Sequence, residues 1–184
     1  MRSLGSISGT TADERPRHVL VFARLPVAGR VKSRLASGVG PAAACTFYAA
    51  CAAHSLRTVD AYAAASDGRV SWSLHFSNVS DADGVRSWTQ SLQLAACHSL
   101  VAQHGDSLGD RLYTAFEWSV AQPENWASVC VVGTDVPDIS SSDLHGESLA
   151  WCCYVHSRVT RVQHLPYSGL LGVGHVRRRS RPCL

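Results

Sequence analysis

Residues 18–24, His-Val-Leu-Val-Phe-Ala-Arg, are the stretch from which the fold can be worked out. Four consecutive apolar residues, Val19 to Phe22, predict a strand that is covered on both faces, as strands of parallel sheets are. A second run of this kind, Ser-Val-Cys-Val-Val-Gly, occupies residues 128–133. Between them, apolar and polar residues alternate over residues 70–76. This pattern places Val70, Trp72, Leu74 and Phe76 on one face and predicts a third strand.

Helical patterns separate these strands. Gly40-Pro41 opens a helix, and a loop is predicted before it, from residue 25 to 39. A short helix is predicted over residues 81–89, and Ser107 with Asp110 resembles a capping box that opens another. Residues 140–150 are predicted to begin a further one. The predicted inner faces are listed here: Cys45, Tyr48, Ala49, Ala52, Leu56 and Val59 for the first helix, and Leu108, Leu112, Ala115, Phe116 and Ser119 for the third. Strands alternating with helices predict an α/β protein with three layers, α/β/α, around a mainly parallel sheet.

Composition excludes several classes of protein. The chain has 184 residues, of which 46% are hydrophobic and 17% charged, so it is long enough and apolar enough for one folded domain. It has no run of 18 apolar residues, so we expect no membrane span. Its seven cysteines are odd in number and form no C-x-x-C pair. We therefore expect reduced cysteines and no zinc site.

Charge divides the chain near its end. Residues 1–147 carry a net charge of −3 and residues 148–184 carry +6. We predict a disordered leader over residues 1–17, a folded domain over 18–150 and a divergent basic tail over 151–184. The leader has no secretory signal, which favours a cytoplasmic protein, with an organellar transit peptide as the alternative. The tail is predicted to be solvated, with RNA binding through its arginines as a less favoured reading.

The loop after the first strand is the first candidate binding segment. Arg24, Arg30, Lys32 and Arg34 lie within eleven residues, and Gly29 allows a tight turn among them. Ligands of open α/β sheets bind beyond the carboxyl ends of strands, and four cations there suit a diphosphate. The loop is neither a Walker A sequence nor a G-x-G-x-x-G fingerprint. A solvated basic loop remains the alternative.

Two further segments carry candidate site residues. Asp135 and Asp138 follow the strand at 128–133, where a carboxylate suits Mg²⁺ or Mn²⁺ in a phosphate site. For Asp138 the favoured interpretation is a cap for the helix near residue 140. In residues 103–112, Gly105 suggests close backbone approach to a ligand or to another loop. In the same segment Asp106 is a candidate ligand contact or helix cap, and Arg111 a candidate ligand contact or surface partner.

Together these three segments resemble the DUF2064 family of small proteins with the GT-A nucleotide-diphosphosugar transferase fold. Its motifs P-x-x-G-x-x-K-[ST]-R-L, Q-x-G-x-D/S-L-G-x-R-L and G-[ST]-D-x-P-x-[LI] correspond to residues 26–35, 103–112 and 133–139. The resemblance covers roughly residues 18–144. It implies a nucleotide site with Arg30, Lys32 and Arg34 near phosphates and a metal, Mg²⁺ or Mn²⁺, on Asp135. The implied function is a glycosyltransferase or nucleotidyltransferase acting on a nucleoside diphosphate-sugar or nucleoside triphosphate.

The family's later D-G-G-Y segment has no counterpart in this sequence. The sequence after about residue 145 departs from the family pattern, as a frameshift, alternative splicing or a mispredicted gene would produce. We therefore expect a GT-A-type sheet that is incomplete at its C-terminal end. The alternative function is an inactive nucleotide- or anion-binding remnant that lacks the acceptor half. No membrane partner is expected, and a nucleic-acid partner is disfavoured.

Overall fold

The computed structural model describes residues 16–124 and 126–144. In this part of the chain, four parallel strands form one sheet in the order β3-β2-β1-β4. The strands are β1 (Arg17–Ala23), β2 (Val70–Phe76), β3 (Cys97–Ala102) and β4 (Ser128–Gly133). The helices are α1 (Ser33–Val39), α2 (Pro41–Ala64), α3 (Ala82–Ser91), α4 (Leu108–Val120) and α5 (Ser141–Leu144), with a 3₁₀ turn over Val79–Asp81.

Helices cover both faces of this sheet, as the apolar runs of β1 and β4 require. On one face, Val19 and Val21 pack with α2, α3 and α5. On the other face, Leu20 and Phe22 pack against α4 through Leu112 and Phe116. The predicted three-layer α/β fold is therefore confirmed, and every strand pair among the described residues is parallel.

The structure corrects two predictions about the elements and adds a strand for which no prediction was made. Cys97–Ala102 forms a strand that its mixed polar sequence did not reveal, because it lies at the edge of the described sheet. Residues 33–39, predicted to be loop, form α1, which ends at Gly40 with a φ of 87°. Leu108, predicted to be buried, is 51% exposed because it lies in the first turn of α4, at the carboxyl edge of the sheet. The predicted capping box of Ser107 and Asp110 is present.

A cluster of buried polar side chains lies beneath α4, and we refer to it as the His–Ser cluster. His18 bonds through Nδ1 to Ser71 Oγ at 2.6 Å and through Nε2 to Ser73 Oγ at 2.8 Å. Ser73 Oγ also bonds to His75 Nε2 at 3.0 Å. Trp126 stacks on His18 with ring centroids 3.8 Å apart. Burial lowers the pKa of His75 to about 4, so this imidazole is neutral at physiological pH.

Some predictions fall outside the described residues: nearly all of the leader, the helix beyond Leu144, and the basic tail. Within residues 16–124 and 126–144, no helix is both long enough and apolar enough to cross a membrane. Among the described residues, Cys45, Cys51 and Cys97 are free thiols, as expected from the cysteine spacing.

Candidate functional site

A cavity of about 540 Å³ lies at the carboxyl edge of the sheet. The chain segments that follow all four strands contribute to its lining, as expected where parallel strands end together. Its lining includes Arg24, Lys32, Tyr48, Ser77, Gln103, Asp106, Arg111, Thr134 and Asp135. They include five of the ten residues that the sequence predicted for phosphate or metal binding.

Lys32 and Asp135 meet in this cavity, each from the segment that follows one of two neighbouring strands. Lys32 follows the first strand and Asp135 follows the fourth, yet Lys32 Nζ donates a hydrogen bond to Asp135 Oδ2 at 3.1 Å. Their side chains are 29% and 49% exposed, respectively. An ion pair with this much solvent contact contributes about 0–1 kcal/mol, so a ligand can separate its partners at little cost.

Tyr48 of α2 fixes the ends of β1 and β4 at the floor of the cavity. Its hydroxyl accepts a hydrogen bond from the Arg24 N–H at 2.8 Å and lies 3.2 Å from the Arg24 carbonyl. The same hydroxyl bonds to Thr134 Oγ1 at 3.0 Å, and Thr134 also reaches the Phe22 carbonyl at 3.3 Å. Burial raises the pKa of the Tyr48 phenol, which keeps the hydroxyl protonated. Tyr48 therefore positions Arg24 beside the cavity.

Arg30, predicted to lie near phosphates, is directed elsewhere. Its guanidinium forms a bidentate ion pair with Asp81, with contacts of 2.6 and 3.0 Å. Hydrogen bonding between the partners raises the pKa of Arg30 and lowers that of Asp81. Arg30 does not line the cavity, whereas Lys32, two residues later, does.

The segment 103–112 forms one wall of the cavity. Gln103 Nε2 donates to the His75 carbonyl at 2.7 Å, which ties this wall to β2. Arg111 Nε donates to the Gly105 carbonyl at 2.9 Å. Gly105 has a φ of 130°, and a Cβ there would lie 2.6 Å from Asp110 Cβ. Its close approach is therefore to the first turn of α4, within its own segment, and not to another loop. Ser107 caps α4, and Asp106 lines the cavity.

Besides Arg30 and Gly105, three further predicted site residues do not line the cavity. Gly29 forms the turn before Arg30, with a φ of 80°. Arg34 is exposed in α1, and Asp138 is exposed beyond the cavity. The cap expected of Asp138 is supplied by Ser140, which exchanges hydrogen bonds with Asp143 at the start of α5. Serine with an acid three residues later is the usual capping box, which explains why Asp138 is not needed there.

The cavity offers a divalent cation few protein ligands, so water or phosphate oxygens would complete its coordination. No group of three or more His, Cys, Asp or Glu side chains that could hold a metal occurs in the described part of the chain. Asp135 and Asp106 are the carboxylates that line the cavity. Mg²⁺ commonly binds through one or two carboxylates together with substrate phosphates and water. Asp135 with a bound diphosphate meets that requirement.

Sequence reasoning missed Tyr48 and Thr134 as members of the site. Tyr48 lies on the apolar stripe of a helix, where it was assigned to the core. Thr134 stands directly before Asp135 in the third motif, and that adjacency was the available signal. Nothing in the local sequence could show that Tyr48 reaches a strand end 24 residues away.

Comparisons with known proteins agree with this architecture. The model of the family described as "Uncharacterized protein conserved in bacteria (DUF2064)" matches residues 58–148. This range contains the second and third motifs. No curated protein matches the chain.

A solved structure from Desulfovibrio desulfuricans G20, titled a "putative nucleotide-diphospho-sugar transferase", is similar in fold. The TM-score is 0.58 at 21% sequence identity, and the match covers 71% of this chain and 52% of that one. The chain thus corresponds to about half the length of that protein. Residues 58–148 thus match the DUF2064 family model, and the described sheet shares the fold of that solved structure.

Proposed function

We propose that this chain binds a nucleoside diphosphate-sugar or a nucleoside triphosphate together with Mg²⁺ or Mn²⁺, as the nucleotide-binding part of a glycosyltransferase or nucleotidyltransferase. The observation that carries the proposal is the meeting of Lys32 and Asp135 in one cavity at the carboxyl edge of a parallel sheet. A cation and a carboxylate side by side suit a ligand that brings both phosphate and metal. The fold neighbour's name supports the same class of ligand.

Different side chains of the cavity would bind the phosphate groups and the metal of such a ligand. Lys32, Arg24 and Arg111 supply positive charge for a diphosphate, and arginine can hold its oxygens in pairs. Asp135 is the residue that would hold the divalent cation. A cation bound there would neutralise charge on the leaving diphosphate. Tyr48 and Thr134 keep the two strand ends at a fixed separation, so that the charged groups are arranged before the ligand arrives.

The proposal is tested by measuring thermal unfolding of the full chain with nucleoside diphosphates, sugar nucleotides and inorganic pyrophosphate, each with and without MnCl₂. A ligand present at about a hundred times its Kd stabilises by about 2.7 kcal/mol, or about 5–10 °C for a domain of this size. We expect such a shift for a phosphate ligand, and a larger one with Mn²⁺. Absence of any shift across the panel contradicts the proposal.

Turnover separates the enzyme from a binding protein. Release or transfer of the sugar from a sugar nucleotide, followed by chromatography, supports the transferase. Binding of the same compound without turnover supports the inactive nucleotide-binding remnant. Binding to RNA that weakens steeply with salt and disappears when residues 176–184 are deleted would instead support RNA binding through the basic tail.

A further inference from the structure

The turn that carries Lys32 is held at three consecutive residues. The Arg30 N–H donates to the Val27 carbonyl at 3.0 Å, which closes the turn around Gly29. Val31 is buried against Tyr48 and Ala52. Arg30 and Lys32, on either side of Val31, point to different carboxylates, Asp81 and Asp135.

Lys32 adopts a backbone conformation that needs this support. Its φ of 49° and ψ of 48° lie in the left-handed region, which costs a residue with a side chain about 1–2 kcal/mol. Such a residue keeps its conformation only where neighbouring contacts impose it. The charged contact that precedes Lys32 in this turn is the ion pair between Arg30 and Asp81.

Asp81 uses its carboxylate for the ion pair with Arg30 and not for capping α3. It stands at the N-cap of α3, where an aspartate usually accepts a hydrogen bond from the helix backbone, yet its side chain makes no capping bond. Both carboxylate oxygens instead accept from Arg30. The Asp81 side chain is only 10% exposed, against 45% for Arg30, so the carboxylate is the fixed partner.

Asn78 extends this arrangement to the cavity. In the amide orientation that satisfies both of its ends, Asn78 accepts a hydrogen bond from Arg30 Nη2 at 2.7 Å and donates to the Ser77 carbonyl at 3.2 Å. Ser77 lines the cavity. The chain segment after β2 therefore binds the Arg30 side chain through Asn78 and Asp81, while Lys32 lines the cavity.

We propose that Asp81 is a positioning residue: by holding Arg30, it fixes the turn at residues 27–32 and directs Lys32 across the cavity toward Asp135. The value of this arrangement for ligand binding rests on the proposed function, but the positioning itself does not. It assigns Arg30 a role different from that of a phosphate ligand. The two roles predict opposite effects of neutralising Asp81.

Lys32 provides a direct readout, because it is the only lysine in the chain. Reductive methylation with ¹³C-formaldehyde labels its amine and retains the charge. The label gives one side-chain NMR signal besides that of the N-terminus. The Asp135→Asn variant supplies the reference signal for a Lys32 that has lost its partner. No ligand is needed for this measurement, so it is independent of whether nucleotide binds.

We expect Asp81→Asn and Arg30→Gln to move the Lys32 signal toward its position in Asp135→Asn, and the double variant to move it no further. Asp83→Asn, which removes an exposed carboxylate in the first turn of the same helix, is the matched control and leaves the signal in place. Circular dichroism checks that each variant is folded. An unchanged Lys32 signal in Asp81→Asn overturns the proposal. A wild-type signal already identical to that of Asp135→Asn overturns it as well.

Titration with inorganic pyrophosphate then distinguishes the two roles of Arg30. Positioning by Asp81 predicts that Asp81→Asn weakens pyrophosphate binding about tenfold, because Lys32 no longer points into the cavity. A phosphate ligand at Arg30 predicts the reverse, because the substitution frees Arg30 and removes a negative charge. Failure of the wild-type chain to bind pyrophosphate counts against the proposed function, and the Lys32 signal still decides the positioning role.

Discussion

The His–Ser cluster beneath α4 and the charged cavity at the sheet edge satisfy their polar groups in different ways. His18, Ser73 and His75 are buried, neutral at His75, and bonded to one another. Lys32 and Asp135 are charged, partly exposed, and bonded through one contact that water can replace. The first arrangement stabilises the folded chain, because a buried polar group without its partner is costly. The second contributes little to stability and leaves its charges available to a ligand. Changes in the cluster should therefore alter unfolding, and changes in the cavity should alter binding.

The largest expected effect is the acid sensitivity that His75 confers. In the unfolded chain its pKa lies near 6.5, and in the folded chain near 4. Between these values the unfolded chain binds one proton more, so the free energy of unfolding falls as the pH falls from about 6.5 to 4. The full loss is on the order of 3 kcal/mol.

Urea unfolding at pH 7 and pH 4.5 measures this effect. His75→Gln, which keeps a polar atom that can meet Ser73, should lose much of the difference between the two pH values. His104→Gln, an exposed substitution, should retain it. An equal pH dependence in wild type and His75→Gln would contradict a buried neutral imidazole.

A smaller effect, on binding alone, is expected from Lys32→Met. Loss of a charge-assisted hydrogen bond to phosphate costs about 2 kcal/mol, so the Kd for pyrophosphate should rise about thirtyfold. The free energy of unfolding should change by less than about 1 kcal/mol, since the ion pair is exposed.

Arg34→Met is the matched control for Lys32→Met. It removes a cation two residues away that does not line the cavity. Through long-range electrostatics alone, it should change the Kd for pyrophosphate no more than about threefold. Equal losses in the two variants would show that the cavity does not select Lys32. A large change in the unfolding of Lys32→Met would remove the contrast between the two regions.

The fold could be predicted where the sequence has a strong period. Residues 18–23 and 128–133 are covered on both faces, and their apolar runs follow directly from that burial. Cys97–Ala102 lies at the edge of the described sheet, so its side chains carry no such pattern. α1 contains Gly38 and lies between Gly29 and Gly40, a composition that indicates a loop, yet residues 33–39 form a helix without a buried side chain.

The candidate site could be predicted only in part, because sequence shows where a residue leaves a strand but not where its side chain points. Lys32 and Asp135 could be chosen because each follows a buried strand. Arg30 is a cation in the same loop as Lys32, so the sequence does not distinguish the two. Its side chain points to Asp81, 51 residues away. Tyr48 enters the site from a helix whose pattern is that of a core stripe.

Tyr48 shares a property with each of the two regions: it is buried, as the His–Ser cluster is, and it lines the cavity. Tyr48→Phe removes the hydroxyl that bonds to the Arg24 N–H and to Thr134. We expect a loss of about 1–2 kcal/mol in the free energy of unfolding and weaker pyrophosphate binding. Tyr113→Phe removes an exposed hydroxyl that bonds to Glu117 and should cost less than about 0.5 kcal/mol. A Tyr48→Phe variant that unfolds like wild type and binds pyrophosphate normally would show that Tyr48 positions nothing.

The smallest expected effect is the most specific, because one substitution should act with opposite signs on two ligands. In the free chain Lys32 neutralises Asp135, so a divalent cation must displace the lysine before it can use that carboxylate. Lys32→Met removes the competitor and should strengthen binding of Mn²⁺ alone by up to about fivefold, the equivalent of about 1 kcal/mol. The same variant binds pyrophosphate more weakly. General destabilisation would weaken both ligands, and loss of net positive charge alone would be reproduced by Arg34→Met. Calorimetric titration of MnCl₂ into the three chains therefore isolates the ion pair, and Asp135→Asn should abolish the gain. Unchanged or weaker Mn²⁺ binding in Lys32→Met would mean that Asp135 is not the carboxylate that meets the cation.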